Sequence, residues 1–277
     1  MTDDASAVEL DAADRELLAE ALRKAMACAT GRELDAALDG LGWPDLLAEA
    51  PGTAVPLVFG LLGETGAHAS VLNDVLLAAS GRPLGGVLPL PYAGGSSVVW
   101  ERDGAGSGML LDADLPLRTT DTGGPPGSPA LAAGRRALGW WLAGTGRAML
   151  ALARAHALDR VQFGRPIASF QAVRHRLAET LVALEGAEAT LLAAQRDTGD
   201  DLSALLAKAA AGQAALTAAR HCQQVLGGIG FTAEHALHRH VRRALVLDGL
   251  LGASRELTRE AGALLRERGA APRLVHL

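Results

Sequence analysis

Two stretches of the chain hold the residues best suited to chemistry. In the first, ALDRVQFGRPIASFQAVRHRLA from Ala157 to Ala178, Arg160, Gln162 and Gln171 surround a break at Phe163-Gly164-Arg165-Pro166. A guanidinium fork beside the free N–H groups of a helix N-terminus is a place to hold a phosphate. Taken alone, Arg160 is more often a solvated cation at a helix end. In the second, HCQQVLGGIGFTAE from His221 to Glu234, a helix delivers Gln224 to its last turns. Gly227-Gly228 then lets another backbone or a ligand come close, although glycines also simply turn a chain between helices.

The elements that must position these residues are mostly helical. From Leu131 onward the apolar spacing predicts helices near 131–159, 169–197, 201–226, 232–248 and 253–268, joined by short connections as in an antiparallel bundle. Gly164 suits a C-terminal cap on the first of them, Pro166 cannot continue a helix, and Ser169 and Thr232 read as N-caps. Asp200-Asp201 can cap the third. Before the bundle, helices are expected over 11–29, 33–41, 43–50, 54–62 and 70–79, after a frayed start at 1–10. Leu17, Leu18, Ala21, Leu22 and Met26 form the apolar stripe of the first, and Pro51-Gly52 reads as a break. Residues 84–127 are rich in Gly, Pro, Ser and Thr and predict about five short strands, a minimal sheet needing helical cover. Gly104-Ala105-Gly106 falls in an expected hairpin with no helix after it, so it is not read as a phosphate loop. The fold class is mainly α: an N-terminal helical domain (1–82), a reduced β-domain (83–128) and a C-terminal helical bundle (129–277).

Composition narrows the function. The 277 residues are 49% apolar but only 3% aromatic, which suits a core of small and branched aliphatics. A net charge of -5 argues against nucleic acid as a partner. Lys24 and Lys208 are the only lysines. Cys28 and Cys222 lack metal or redox spacing and read as buried small hydrophobes in a reducing compartment. No leader pattern and no apolar run of spanning length is evident, so a soluble, cytoplasmic protein is expected, with no membrane partner. His235 and His240 point to different faces of their expected helix, so they and His238 are not assigned to a metal. Arg239, Arg242 and Arg243 form a basic stripe, read as solvated or as an interface or coenzyme A contact. Trp140-Trp141 reads as core or subunit interface.

The two motifs together carry a resemblance. RVQFGRPIASFQAVRHRLAE followed by QVLGGIGFTAEHALHRHVRRALV strongly resembles the C-terminal helical domain of the acyl-CoA dehydrogenase family, and LDGLGWPDLLAEA resembles its early helices more loosely. The resemblance implies FAD bound across a subunit interface. Arg160 would then meet the pyrophosphate, Gln162 and Phe163 would lie beside it, and Gln171, Gln224, Gly227 and Gly228 would line the adenosine end. A dianionic pyrophosphate favours a fixed guanidinium, and close backbone approach favours glycine.

The departures from the family are equally informative. Family members remove an α-proton from the acyl thioester with a glutamate while the flavin accepts a hydride from the β-carbon. The segment matching that glutamate here is Leu250-Leu251-Gly252-Ala253-Ser254, with Leu251 in its place, and leucine cannot accept a proton. The alternative position on the first long helix, around Ala132-Ala133-Gly134-Arg135-Arg136-Ala137, also lacks a carboxylate. Asp248, one turn before Leu251, is a weak candidate because a shorter, displaced acid misses the geometry. The family's Glu-Pro…Gly-Ser-Asp-like and Trp-x-Thr-like segments around the flavin are not recognisable, and Trp100 is alone. The resemblance therefore implies a shortened subunit without a catalytic residue. It would share FAD with a longer acyl-CoA dehydrogenase subunit that carries the glutamate, in an α2β2 heterotetramer. It would act on a bulky acyl-CoA such as a sterol side-chain thioester, with electron-transferring flavoprotein as acceptor. Two alternatives remain: a non-enzymatic interaction protein that keeps the fold, and a homo-oligomeric flavin enzyme of tailoring metabolism.

Overall fold

A computed structural model describes residues 11–102, 108–121, 123–197 and 200–270. The expected frayed start at 1–10 and the Gly104-Ala105-Gly106 hairpin lie outside them.

The N-terminal part comprises α1 (Ala12–Cys28), α2 (Arg32–Gly40), α3 (Trp43–Glu49), α4 (Pro51–Thr65) and α5 (Val71–Ala79). Asp11 caps α1, its carboxylate accepting from the Asp14 N–H at 2.8 Å. The stripe of α1 is shifted from the expected one: Ala19, Leu22 and Met26 are buried, whereas Leu17 is exposed. The break expected at Pro51-Gly52 falls at Ala50, between α3 and α4. Pro51 opens α4, where its missing N–H costs nothing.

The middle part is smaller than expected. Among the described residues, β1 (Pro89–Tyr92), β2 (Ser96–Trp100) and β3 (Leu117–Thr119) form one antiparallel sheet in the order β1-β2-β3. Met109-Leu110-Leu111 contributes only an isolated bridge, Leu110 to Arg118.

The C-terminal part holds α6 (Ser128–Asp159), α7 (Gln171–Arg196), α8 (Asp201–Leu226), α9 (Leu237–Gly249) and α10 (Ser254–Arg268), with the two-residue strands β4 (Val161–Gln162) and β5 (Arg165–Pro166) between α6 and α7. Asp200 caps α8 through the Leu202 N–H at 3.1 Å. The expected helix over 232–248 begins only at Leu237, because the chain first makes a tight turn over Gly227–Phe231. Thr232 therefore caps nothing; its hydroxyl donates to the Ile229 carbonyl at 3.0 Å. In contrast to the expectation of no spanning run, one helical stretch, Asp201–Phe231, is long and apolar enough to cross a membrane. Its most apolar window is 67% buried inside the bundle, as a core helix would be.

All three parts share one apolar core. Trp43 of α3, Phe59 of α4, Trp141 of α6 and Trp100 of β2 form a chain of rings with centroid spacings of 6.4, 5.6 and 5.3 Å. Trp141 is thus core, and Trp100 anchors the sheet to the bundle. α4 and α6 approach closely enough that a Cβ on Gly144 would come within 2.1 Å of the Gly60 carbonyl oxygen. Only glycine permits that contact.

Candidate functional site

The first chemistry-bearing stretch folds as a hairpin rather than as a simple helix break. α6 ends at Asp159 with Arg160 in extended conformation. Val161 pairs with Pro166 and Gln162 with Arg165, leaving Phe163 and Gly164 as a two-residue turn at φ 53° and 78°. Such a turn requires positive φ at both central residues, which is why Gly164 sits here and not as a helix cap. Phe163 adopts the same backbone region at a cost of about 1–2 kcal/mol. Its ring is 91% exposed, so the strain presents an aromatic face to the outside rather than filling the core.

The hairpin is tied down at its base. The Ile167 N–H donates to the Arg160 carbonyl at 2.8 Å. Ser169 lies in a short turn, with its hydroxyl donating to the Pro166 carbonyl, so the N-cap of α7 is Phe170 instead. The Phe170 ring stands edge-on to Phe163 at 6.0 Å, and the Arg165 guanidinium lies 4.5 Å over it. Arg165 and Phe170 thus hold the tip. Neither reads as a site residue from the sequence; Phe163-Gly164 lacks the Asn-Gly or Asp-Gly pair that marks a two-residue hairpin turn.

The second stretch lies at the same end of the bundle. His221 of α8 bonds Thr180 of α7 at 3.0 Å, and the His235 ring is 6.5 Å from that of His156 in the last turn of α6. Burial, then the charges of His235 and Arg160, push the His156 pKa below its ordinary value. Gly227 ends α8 at φ 65°. Arg160, Gln162, Gln171, Gln224 and Gly228 are exposed. They do not bond one another. The Gln162 amide donates to the Val161 carbonyl, Gln171 bonds His175, and Arg160 makes no ion pair among the described residues.

The region of Leu251 is buried and apolar. Leu251 is fully buried, at φ 57°, with its N–H donating to the Pro91 carbonyl at 2.8 Å and its carbonyl accepting from Arg135 Nε at 3.2 Å. Asp248 is no free base. Its carboxylate accepts from the Ser254 N–H at 3.2 Å and the Ser254 hydroxyl at 3.4 Å, against Gly212. Lys208, fully buried, donates to the Asp248 and Gly252 carbonyls from below. Burial lowers its pKa to about 7.

Other sequence readings shift. His235 precedes α9 rather than lying on it, and its ring accepts from the Leu237 N–H at 3.1 Å. His240 is buried against Gly66. The basic stripe is not solvated throughout: Arg242 pairs with Asp112 and Asp114 at 2.8 and 3.2 Å, and Arg243 donates to the Ala67 carbonyl. Cys28 is exposed, not buried; Cys222 is buried, which pushes its thiol up to about 12.

Residues 128–263, the stretch that builds both the exposed end and the Leu251 corner, match the acyl-CoA dehydrogenase C-terminal domain. This segment, just under half of the chain, is an acyl-CoA dehydrogenase C-terminal domain. Acyl-CoA dehydrogenase FadE34 of Mycobacterium tuberculosis is 41% identical over 128 residues, which are 44% of this chain and 18% of that relative. The match thus spans under a fifth of that curated protein. Among solved structures, a chain of the Tcur3481-Tcur3483 steroid ACAD superposes with a TM-score of 0.67 at 21% identity, covering 93% of this chain and 96% of that one. A chain of the ChsE4-ChsE5 complex from Mycobacterium tuberculosis gives 0.61 at 20%, covering 99% of both. These two likenesses establish the acyl-CoA dehydrogenase fold over nearly the whole chain.

Proposed function

We propose that this chain is a non-catalytic subunit of a heteromeric, FAD-dependent acyl-CoA dehydrogenase. The observation that carries this is a division of the molecule. The Leu251 corner is buried and, among the described residues, holds no free acid, whereas the cofactor-type residues stand exposed at one end of the bundle.

That end suits the adenosine and pyrophosphate half of FAD. Arg160 offers an exposed, uncommitted cation; Gln162, Gln171 and Gln224 offer neutral donors and acceptors. A Cβ added to Gly227 or Gly228 meets nothing within 4 Å, so the backbone there is open to a ligand. FAD, when bound, supplies a hydride acceptor for the substrate's β-carbon. This chain's residues hold and orient: Arg160 neutralises the pyrophosphate, Gln162 and the strained Phe163 flank it, and Gln171, Gln224, Gly227 and Gly228 line the adenosine. Proton abstraction and the flavin-ring pocket fall to a longer partner subunit that carries the glutamate, in an α2β2 assembly. Among the described residues the middle sheet has three strands; so small a sheet would leave room for a bulky acyl-CoA such as a sterol side-chain thioester. Two of the similar solved structures, the Tcur3481-Tcur3483 steroid ACAD and the ChsE4-ChsE5 complex, have two components, which supports this reading. Electron-transferring flavoprotein is the proposed acceptor, and the cytoplasm the proposed compartment.

The test is to purify the chain alone and co-expressed with the dehydrogenase-like product of a neighbouring gene. The flavin spectrum and subunit ratio are then recorded. Colourless alone and yellow at equal stoichiometry together is the expected result. Yellow alone would assign a complete flavin site to this chain and defeat the proposal, as would colourless protein in both preparations.

A further inference from the structure

We propose that the cavity between the N-terminal helices and the bundle binds an amphipathic monocarboxylate, with its carboxylate on Arg136 and its apolar body against Leu47, Val55, Val75 and Ala78. The cavity measures about 520 Å³ and lies where α3, α4 and α5 meet α6 and the end of α7. That volume is in the range of small-molecule sites.

The lining is aliphatic except for Arg136 and Gln195. Gln195 spends its amide on the Gly52 carbonyl at 3.3 Å. Arg136 is the charged side chain of the lining, and its Nη1 is buried without a hydrogen-bond partner among the described residues. Asp201 and Asp197 act on it electrostatically, but neither reaches ion-pair distance. A guanidinium held in an apolar wall with an unmet donor is costly unless an anion completes it. A carboxylate matches the fork of the guanidinium, and the aliphatic wall requires that the rest of the ligand be apolar.

This cavity is separate from both regions described above. α6 turns Gly134 toward Leu251 and Leu76, while Ala133 and Arg136 face the cavity. Positions 134 and 136 point to nearly opposite sides of a helix. The proposal therefore stands whether or not the chain contributes to a flavin site.

The test is calorimetric titration of the full-length chain with submicellar decanoate and, separately, with 1-decanol. Decanoate is expected to bind saturably, at least about tenfold more tightly than the alcohol, as a charge-assisted pair requires. Arg136→Met should reduce decanoate to the level of the alcohol, and Arg136→Lys should recover part of the difference. Should Arg136→Met not fold, the decanoate-to-decanol ratio on the wild-type chain decides. No saturable binding of decanoate, or equal affinity for both ligands, overturns the proposal. So does a loss of assembly with the dehydrogenase partner in Arg136→Met without any carboxylate effect, which would assign the guanidinium to a protein contact.

Discussion

Leu251 fills the notch that Gly134 leaves in α6: a Cβ added to Gly134 would lie 2.7 Å from Leu251 Cδ1 and 2.8 Å from Leu76 Cδ2. The corner between α9 and α10 keeps a demanding backbone, with Leu251 at φ 57° and Gly252 at φ 102°, yet presents an aliphatic side chain to a closed space. A leucine at positive φ is held there only by its surroundings, here the Pro91 carbonyl and Arg135.

Leu251→Glu should therefore not create a dehydrogenase. It buries a carboxylate among Leu76, Gly134 and their neighbours, at a cost of roughly 3 kcal/mol or more in urea unfolding. Arg135 and Lys208, the cations at this corner, already serve the Leu251, Asp248 and Gly252 carbonyls. Acyl-CoA oxidation by purified Leu251→Glu without a partner would show that a complete active site survives in this chain.

Lys208 governs the same corner from α8. Its ammonium ties the Asp248 and Gly252 carbonyls, so Lys208→Ala leaves both unpaired and opens a cavity. A loss of about 3 kcal/mol in denaturant unfolding is expected. Burial lowers the folded pKa to about 7 from the ordinary 10.5. Between these values the unfolded chain binds more protons, so this group makes stability rise with pH from about 7 toward 10.5. Lys208→Ala should remove that slope; an unchanged slope would show that the ammonium is not buried in solution.

Acid should destabilise the protein before its carboxylates titrate. Burial lowers both His68 and His240 to about 4, against an ordinary 6.5. The unfolded state then takes up protons that the folded state refuses, so stability falls as pH drops from about 6.5 to 4 and levels off below. His240→Leu removes one of the two groups and should roughly halve the slope in denaturant titrations near pH 5. A slope that does not change would place the uptake elsewhere.

Much of this architecture was legible because its signals are local. The apolar period located the helices of the bundle, and Asp200 announced a helix start by its chemistry. The errors arose where one residue type serves two structures. Gly164 was equally suited to a helix cap and to a hairpin, and pairing of Gln162 with Arg165 decided it. Pro51 could break a helix or begin one. Exposure of Cys28, and the ion pairs of Arg242 with Asp112 and Asp114, depend on contacts distant in sequence. Periodicity holds no record of those. The cofactor-type residues were legible as a motif. Their gathering at one end of the bundle follows from the parallel course of α6 and α8, which Ser128 and Asp201 begin side by side.

The most direct measurement is FAD affinity of the purified heteromeric complex, wild type against Arg160→Ala. Loss of a charge-assisted contact to the pyrophosphate should weaken FAD at least about tenfold, with the subunit ratio unchanged. Equal FAD affinity in the two complexes would contradict the assignment of the pyrophosphate half of the site to this chain.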